Sequence, residues 1–201
     1  MSADRDPSGL VIETVVTTLA PDGEPHFAAM GVVWGEETIV IRPYPNTRTL
    51  RHLTTHREAV VNVTDDVLAF AKSALTHERL PAEPAAHVRG AVLSAACHWR
   101  EVAVTDIAPP GESASRARVR TRVVGAGHRR PFAGLCRAKH AVVEASILAS
   151  RLHYLPLAEV MDGIGRLEPL VEKTGGRDER EAFEFVRRYL ERRAARAGTR
   201  R

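Results

Sequence analysis

Hydrophobic and polar positions along this chain follow a period of two in the first part and a period near 3.6 after about residue 125. Residues 11–19 are rich in valine and threonine and run into Pro21-Asp-Gly-Glu24, where Asp and Gly supply a turn. Residues 25–34 follow as a second strand, so the pair is expected to form an antiparallel hairpin. Gly35-Glu-Glu37 turns the chain again into a strand at 38–44, and residues 58–64 form a fourth. Residues 88–104 read as one long strand or as two meeting at a bend. The sharpest signal is 115–124, where Arg116, Arg118, Arg120 and Arg122 alternate with Ala117, Val119, Thr121 and Val123. A period of two places the arginines on one face, either solvated or paired with acidic neighbours, and the smaller residues on the other. Helices fit at 47–54 and 67–75, while 76–86, with two prolines, reads as a loop. Five or six short strands with one or two helical insertions predict a small closed or partly closed antiparallel barrel.

The second pattern follows Gly125-Ala-Gly-His-Arg-Arg-Pro131, which reads as a linker. In 138–155, Ala141, Val142, Ala145, Leu148, Leu152 and Leu155 recur at spacings of three and four, the apolar stripe of a packed helix. Residues 157–172 predict a second helix, weakened by Gly163 and Gly165, and 177–196 a third after Thr174-Gly-Gly176. Two domains are therefore expected, a barrel over 1–124 and a helical domain with a basic tail over 125–201.

Composition narrows the function classes. The 201 residues are 44% hydrophobic and 27% charged, enough for a core without disulfides. Cys97 and Cys136 form no metal-ligand pair or disulfide framework, and both read as reduced small hydrophobes. The polar start of the chain and the absence of a long apolar run predict a cytoplasmic protein. The net charge is +4, but the segment from Arg187 to Arg201 alone carries +6, leaving −2 for the rest. The basic character thus belongs to the tail, which reads as a solvated helix end or a contact for nucleic acid or an acidic partner. Aromatic residues make up 5%, which leaves few platforms for stacking single-stranded bases, so nucleic-acid binding is not favoured.

Common catalytic signatures are missing: no phosphate loop of the GxxxxGK[ST] type, no HExxH, no GxSxG. His52 and His56, and His140 and Glu144, have ligand-like spacing but lack further ligands, so no metal is expected. The segment from Arg42 to Thr49 carries more. A strand is expected to end at Tyr44, Pro45 stops pairing, and Asn46 caps a helix beginning near Thr47. A helix start presents free N–H groups and a favourable dipole to an anion. Thr47 and Thr49 add hydroxyls, Arg48 a planar fork, and Arg42 can approach from the strand. The plainer alternative is a capped helix with solvated arginines. Ala28-Ala-Met-Gly-Val32 offers small residues that let a flat ring lie near the backbone, or that serve ordinary strand packing. Asn62-Val-Thr-Asp-Asp66 supplies polar groups at a strand end, or a cap for the next helix.

Taken in order, Glu13-Thr-Val-Val-Thr-Thr18, Ala29-Met-Gly-Val32, Ile41-Arg-Pro-Tyr-Pro-Asn-Thr-Arg-Thr49, Val61-Asn-Val-Thr-Asp-Asp66 and Ala138-Lys-His-Ala-Val-Val-Glu-Ala145 resemble the family called domain of unknown function 447. The resemblance runs over roughly residues 10 to 190, and the Arg-Pro-Tyr-x-Asn-Thr-x-Thr pattern is its most specific part. It implies an α+β fold, an antiparallel split β-barrel related to pyridoxamine-phosphate oxidase followed by a small C-terminal helical region. It also implies a homodimer with FMN near the subunit interface. In that arrangement Asn46, Thr47, Arg48 and Thr49 hold the phosphate with Arg42 beside them. Met30, Gly31 and Val32 line the isoalloxazine ring, and Asn62 and Asp65 lie nearby. His140 departs from the small polar residue expected in that helix. The implied function is an FMN-dependent oxidoreductase of unknown substrate; the alternatives are a non-catalytic flavin carrier or sensor, or a deazaflavin- or haem-binding relative. No side chain presents itself as a catalytic acid or base.

Overall fold

The hairpin turn shows how local chemistry becomes structure. Gly23 takes a left-handed φ of 86°, and the Ala20 N–H donates to the Glu24 carbonyl at 2.9 Å, joining β1 (Val11–Leu19) to β2 (Pro25–Val33). The computed structural model describes residues 9–110, 115–132, 134 and 136–198. Along it follow β3 (Thr38–Ile41), α1 (Arg48–His56), β4 (Glu58–Val63), α2 (Val67–Leu75), β5 (Ala82–Pro84), β6 (Ala91–Leu93), β7 (His98–Ala108), β8 (Arg118–His128), α3 (Arg137–Ser150), α4 (Leu157–Thr174) and α5 (Arg177–Gly198). Two compact units result, one from residues 1–64 and 79–131, the other from 65–78 and 132–201.

The first unit is a closed antiparallel barrel in the order β1-β2-β3-β8-β7-β4. Its interior is branched aliphatic: Val16, Val32, Ile41, Val61, Val102 and Val119 are fully buried. Helix α1 adds Leu53 to the same core. In β8, Val119 and Thr121 are buried while Arg120 and Arg122 are exposed, the alternation expected from the sequence.

The stretch 14–18 of β1 is buried throughout, because its outward face is covered too. There the short pair β5-β6 lies over the barrel, and Asn62 fastens it. The Asn62 amide donates to the Val15 carbonyl and the Thr17 hydroxyl, both at 2.9 Å, and its oxygen accepts from the Leu93 N–H at 2.9 Å. Glu101 fastens the loop before β6. Its carboxylate accepts backbone N–H bonds from Ala86, His87 and Val88.

Several boundaries differ from the sequence reading. The strand expected over 88–104 is two, β6 and β7, with a turn between them. The loop expected at 76–86 contains β5, whose Pro84 is tolerated in a two-stranded sheet because such a strand has an unpaired side. Gly125 to His128 are part of β8 and not a linker. Glycine there provides room: a Cβ on Gly127 would lie 2.0 Å from the Trp99 ring, and one on Gly125 2.5 Å from His87 Nδ1. Similarly, Gly163 of α4 admits Leu148 of α3, whose Cδ1 would stand 3.0 Å from an added Cβ.

The second unit buries one face of each helix, with Ala141, Val142 and Ala145 of α3 set against apolar positions of α2, α4 and α5. Helix α3 stops at Ser150, short of the expected 155, but Leu152 and Leu155 still pack on its core from the turn that follows. In α5, Arg187 pairs with Glu168 at 2.6 Å, so part of the tail's charge is met within the unit. Among the described residues no helix is long and apolar enough to cross a membrane.

The Glu101 contacts carry a pH dependence. Burial raises the pKa of this carboxyl, but hydrogen bonds, led by those from the His87 and Ala86 N–H groups and joined by side-chain bonds, together leave it below the ordinary carboxylate value. A lowered folded-state pKa makes its stabilisation complete above the unfolded-state value and lost as pH falls through the folded one. Glu101→Gln should cost about 1–3 kcal/mol at neutral pH and flatten the acid limb of a stability–pH curve from urea unfolding. An unchanged acid limb would assign that titration to another group.

Candidate functional site

Strand β3 leaves the sheet after Ile41, three residues before the expected end. Pro43 and Pro45 have no N–H to give a neighbouring strand. The Pro43 carbonyl still accepts from the Ala117 N–H at 3.0 Å, which keeps the departing chain against the start of β8. The Tyr44 carbonyl then receives two bonds from Thr47, from its N–H at 3.3 Å and from its hydroxyl at 2.8 Å. This turn moves the helix cap by one residue. Thr47, not Asn46, is the N-cap, with extended φ/ψ of −89°/154° and its hydroxyl accepting from the Leu50 N–H at 3.3 Å.

The result is a helix start with unspent donors. The Leu50 and Arg51 N–H groups are taken up by Thr47, while those of Arg48 and Thr49 have no partner among the described residues. No acidic residue stands in the first turn. Asn46 and Arg48 are exposed, Thr47 and Arg42 half-buried, and Thr49 buried. Free N–H groups and the positive end of the helix dipole meet at this turn, with Arg48 in the first turn and Arg42 a few residues before it in sequence, a combination suited to a phosphate or similar anion.

The early exit of β3 also opens the sheet. Among the described residues β3 pairs with β2 only at Val32 and Val33, so residues 27–31 of β2 keep β1 on one side and no strand on the other. The last pair of the β2–β3 ladder is Val32 with Ile41, so Gly31 is the first residue of β2 beyond it. The unpaired backbone edge of β2 thus begins where β3 departs toward the turn at Thr47. Met30 and Val32 point into the barrel, Val32 fully buried, so a planar group at this edge would meet main chain before the Val32 side chain. Gly31 is also demanded by its β1 neighbours: an added Cβ would fall 2.8 Å from Val11 Cγ1 and 3.0 Å from Glu13 Oε1.

The remaining residues singled out from the sequence are placed elsewhere or already engaged. Asn62 is fully buried and spends its amide on Val15, Thr17 and Leu93. Asp65 belongs to the helical unit, where Lys139 Nζ donates to its carbonyl at 2.6 Å and stands 3.7 Å from its carboxylate. His52 is buried with Nδ1 3.0 Å from the Thr18 hydroxyl. Its burial, then the charges of His56, Arg51 and Arg48, lower its pKa, so at neutral pH it adds no charge to α1. His140 and Glu144 are exposed on α3. Among the described residues no group of three metal-ligating side chains converges.

Sequence reasoning did not mark Arg116 as part of this site. It approaches from two residues before β8, its guanidinium 4.5 Å from the centre of the Tyr44 ring and donating to the Tyr44 hydroxyl at 3.0 Å. The alternating arginines put Arg116 on a face, but nothing local says that Ala117 pairs with Pro43.

A six-stranded antiparallel barrel opened between β2 and β3, with a helix start at the opening, is the split-barrel architecture of the α+β class. Solved structures carry the same fold. An FMN-bound protein of Methanosarcina mazei superposes with a TM-score of 0.76 at 19% identity, covering 89% of this chain and 94% of that one. Component B of nitrilotriacetate monooxygenase from Bacillus cereus gives 0.51 at 17% identity, covering 66% and 79%. An NADH:FAD oxidoreductase of Streptomyces globisporus gives 0.50 at 13%, covering 64% and 87%. The N-terminal model of the domain of unknown function 447 matches residues 12–130 and the C-terminal model of that family matches 136–188. The chain belongs to this family. No match is found among curated proteins.

The cap can be tested by itself. Thr47→Ala removes the hydroxyl that serves both the Leu50 N–H and the Tyr44 carbonyl, and should lower unfolding free energy by about 1 kcal/mol. Asn46→Ala should change it by less than half as much in the same urea titration, since Asn46 does not cap.

Proposed function

We propose that this protein binds FMN, with the phosphate on the turn from Arg42 to Thr49 and the isoalloxazine along the open edge of β2, and that it is an oxidoreductase. The observation that carries the reading is that the N–H groups of Arg48 and Thr49 have no partner among the described residues, at a helix start with no acid in its first turn. The FMN bound to the Methanosarcina mazei relative supports the choice of ligand. Bound FMN supplies the hydride or electron chemistry. The chain's own part is to anchor the phosphate by N–H groups, Thr47, Thr49 and arginines, and to meet the ring with the main chain near Met30 and Gly31. Val32 contributes through its backbone, and Asn62 acts from behind the site by holding β6 to the barrel. Asp65 enters this reading only through the family likeness.

The wider reading is a cytoplasmic homodimer with the flavin near its interface, the barrel serving as the flavin domain and the unit of residues 65–78 and 132–201 as a helical domain. Leu10 and Val11 at the start of β1 are 66% and 47% exposed, an apolar edge that suits coverage by a second copy. Sedimentation at micromolar concentration should give twice the chain mass; a monomer would remove the dimer from the proposal and leave the phosphate site standing.

The purified protein should be yellow or take up added FMN, and a colourless protein that fails to do so would end the reading. Arg48→Ala should weaken FMN about 10- to 100-fold, the range for a lost charge-assisted hydrogen bond, and riboflavin by no more than about threefold. Equal loss for both would remove Arg48 from the phosphate. Reduction of bound FMN by NADH, NADPH or a reduced deazaflavin separates an oxidoreductase from a carrier or sensor, which would bind the flavin without turnover.

A further inference from the structure

We propose that Arg116 is a further phosphate-binding residue of this site and that Tyr44 is the residue that positions it. The inference rests on the FMN-phosphate reading above and extends it to a strand that lies about 70 residues further along the chain.

Three facts converge on it. The first is placement. Ile41 pairs with Val119 in the β3–β8 ladder, and the Ala117 N–H bonds the Pro43 carbonyl at 3.0 Å. The backbone of Arg116 is thereby carried along the same line to Tyr44, while Arg120 and Arg122 of the same face stay beside the paired part of β3. The second is charge. Among the described residues no carboxylate pairs with Arg116; its contacts are the face of the Tyr44 ring at 4.5 Å and the Tyr44 hydroxyl at 3.0 Å. A guanidinium held against an aromatic ring keeps its full charge, and donors in its planar fork remain for an anion. The third is the double use of Tyr44. Its carbonyl takes both Thr47 donors and so shapes the helix start, and its ring and hydroxyl hold Arg116. One residue links the cap geometry to the position of the added cation. Tyr44 is 44% exposed, so this ring is spent on holding Arg116 and not on the core.

The test measures dissociation constants for FMN and for riboflavin in parallel, by quenching of flavin fluorescence. Arg116→Ala and Arg116→Gln should each weaken FMN about tenfold or more, as expected for a lost charged donor, and leave riboflavin unchanged. Arg116→Lys should recover part of the loss, since it restores charge without the planar fork. Tyr44→Phe keeps the ring and should retain most of the FMN affinity, whereas Tyr44→Ala should behave like Arg116→Ala. A merely structural role would lower both affinities together, and that result in the Arg116 variants overturns the proposal. Arg48→Ala serves as the reference. If it separates FMN from riboflavin and the Arg116 variants do not, this inference fails and the phosphate site stands. If no variant separates the two ligands, the phosphate site itself fails.

Discussion

The site depends on where β3 must stop pairing. Pro43 and Pro45 cannot donate a main-chain bond, so the strand ends at Ile41 and the chain is released from β2 while Pro43 is still held by Ala117 of β8. That asymmetry has two consequences at one place. On the β2 side a stretch of backbone is left without a strand neighbour, and on the β8 side the turn is pinned so that Thr47 begins α1. A longer β3 would close the edge. A turn without the bond to Ala117 would leave the helix start unplaced. Proline here is what makes a barrel into a barrel with an opening.

The opening can exist because the rest of the wall is reinforced. Thr17 and Asn62 are buried polar residues in a valine-rich setting, and each spends its hydrogen bonds on main chain of β4, β6 or β1. Glu101 does the same for the loop at 86–88. Buried polar groups are costly when unsatisfied and specify one arrangement when satisfied. They hold the outer layer in register on the closed side of the barrel, and Leu53 of α1 completes the core from the side of the site. Helix α1 is thus anchored by its own apolar face.

The fold and the family leave the reaction open, since one superfold hosts many chemistries and a flavin brings its own. What this chain shows is a helix start without an acid in its first turn and with arginines in and before it. An anion site of that make-up would discriminate by charge and geometry and would not itself transfer protons. The buried His52 is engaged with Thr18, and burial lowers its pKa, so it brings no charge to α1 at neutral pH.

The periods of two and 3.6, the turn at Asp22-Gly23 and the proline-bounded helix start were legible from neighbouring residues alone, because pairing faces, left-handed turns and caps are set within a few positions of the chain. Strands β1, β2 and β4 and both short helices followed from them. Other features had to wait for the fold. Gly125 and Gly127 read as part of a linker until the Trp99 and His87 rings are seen to need their space. Thr47 displaced Asn46 as cap because the Tyr44 carbonyl, held in place by the pinning of Pro43, drew both of its donors. Asn62 reads from the sequence as a polar group at a strand end, and only the fold shows that it fastens β6. Arg116 reaches Tyr44 through a strand pairing across the barrel. Local sequence determined which segments are strands and where a helix begins; cross-strand register, which no short window contains, decided which side chains meet.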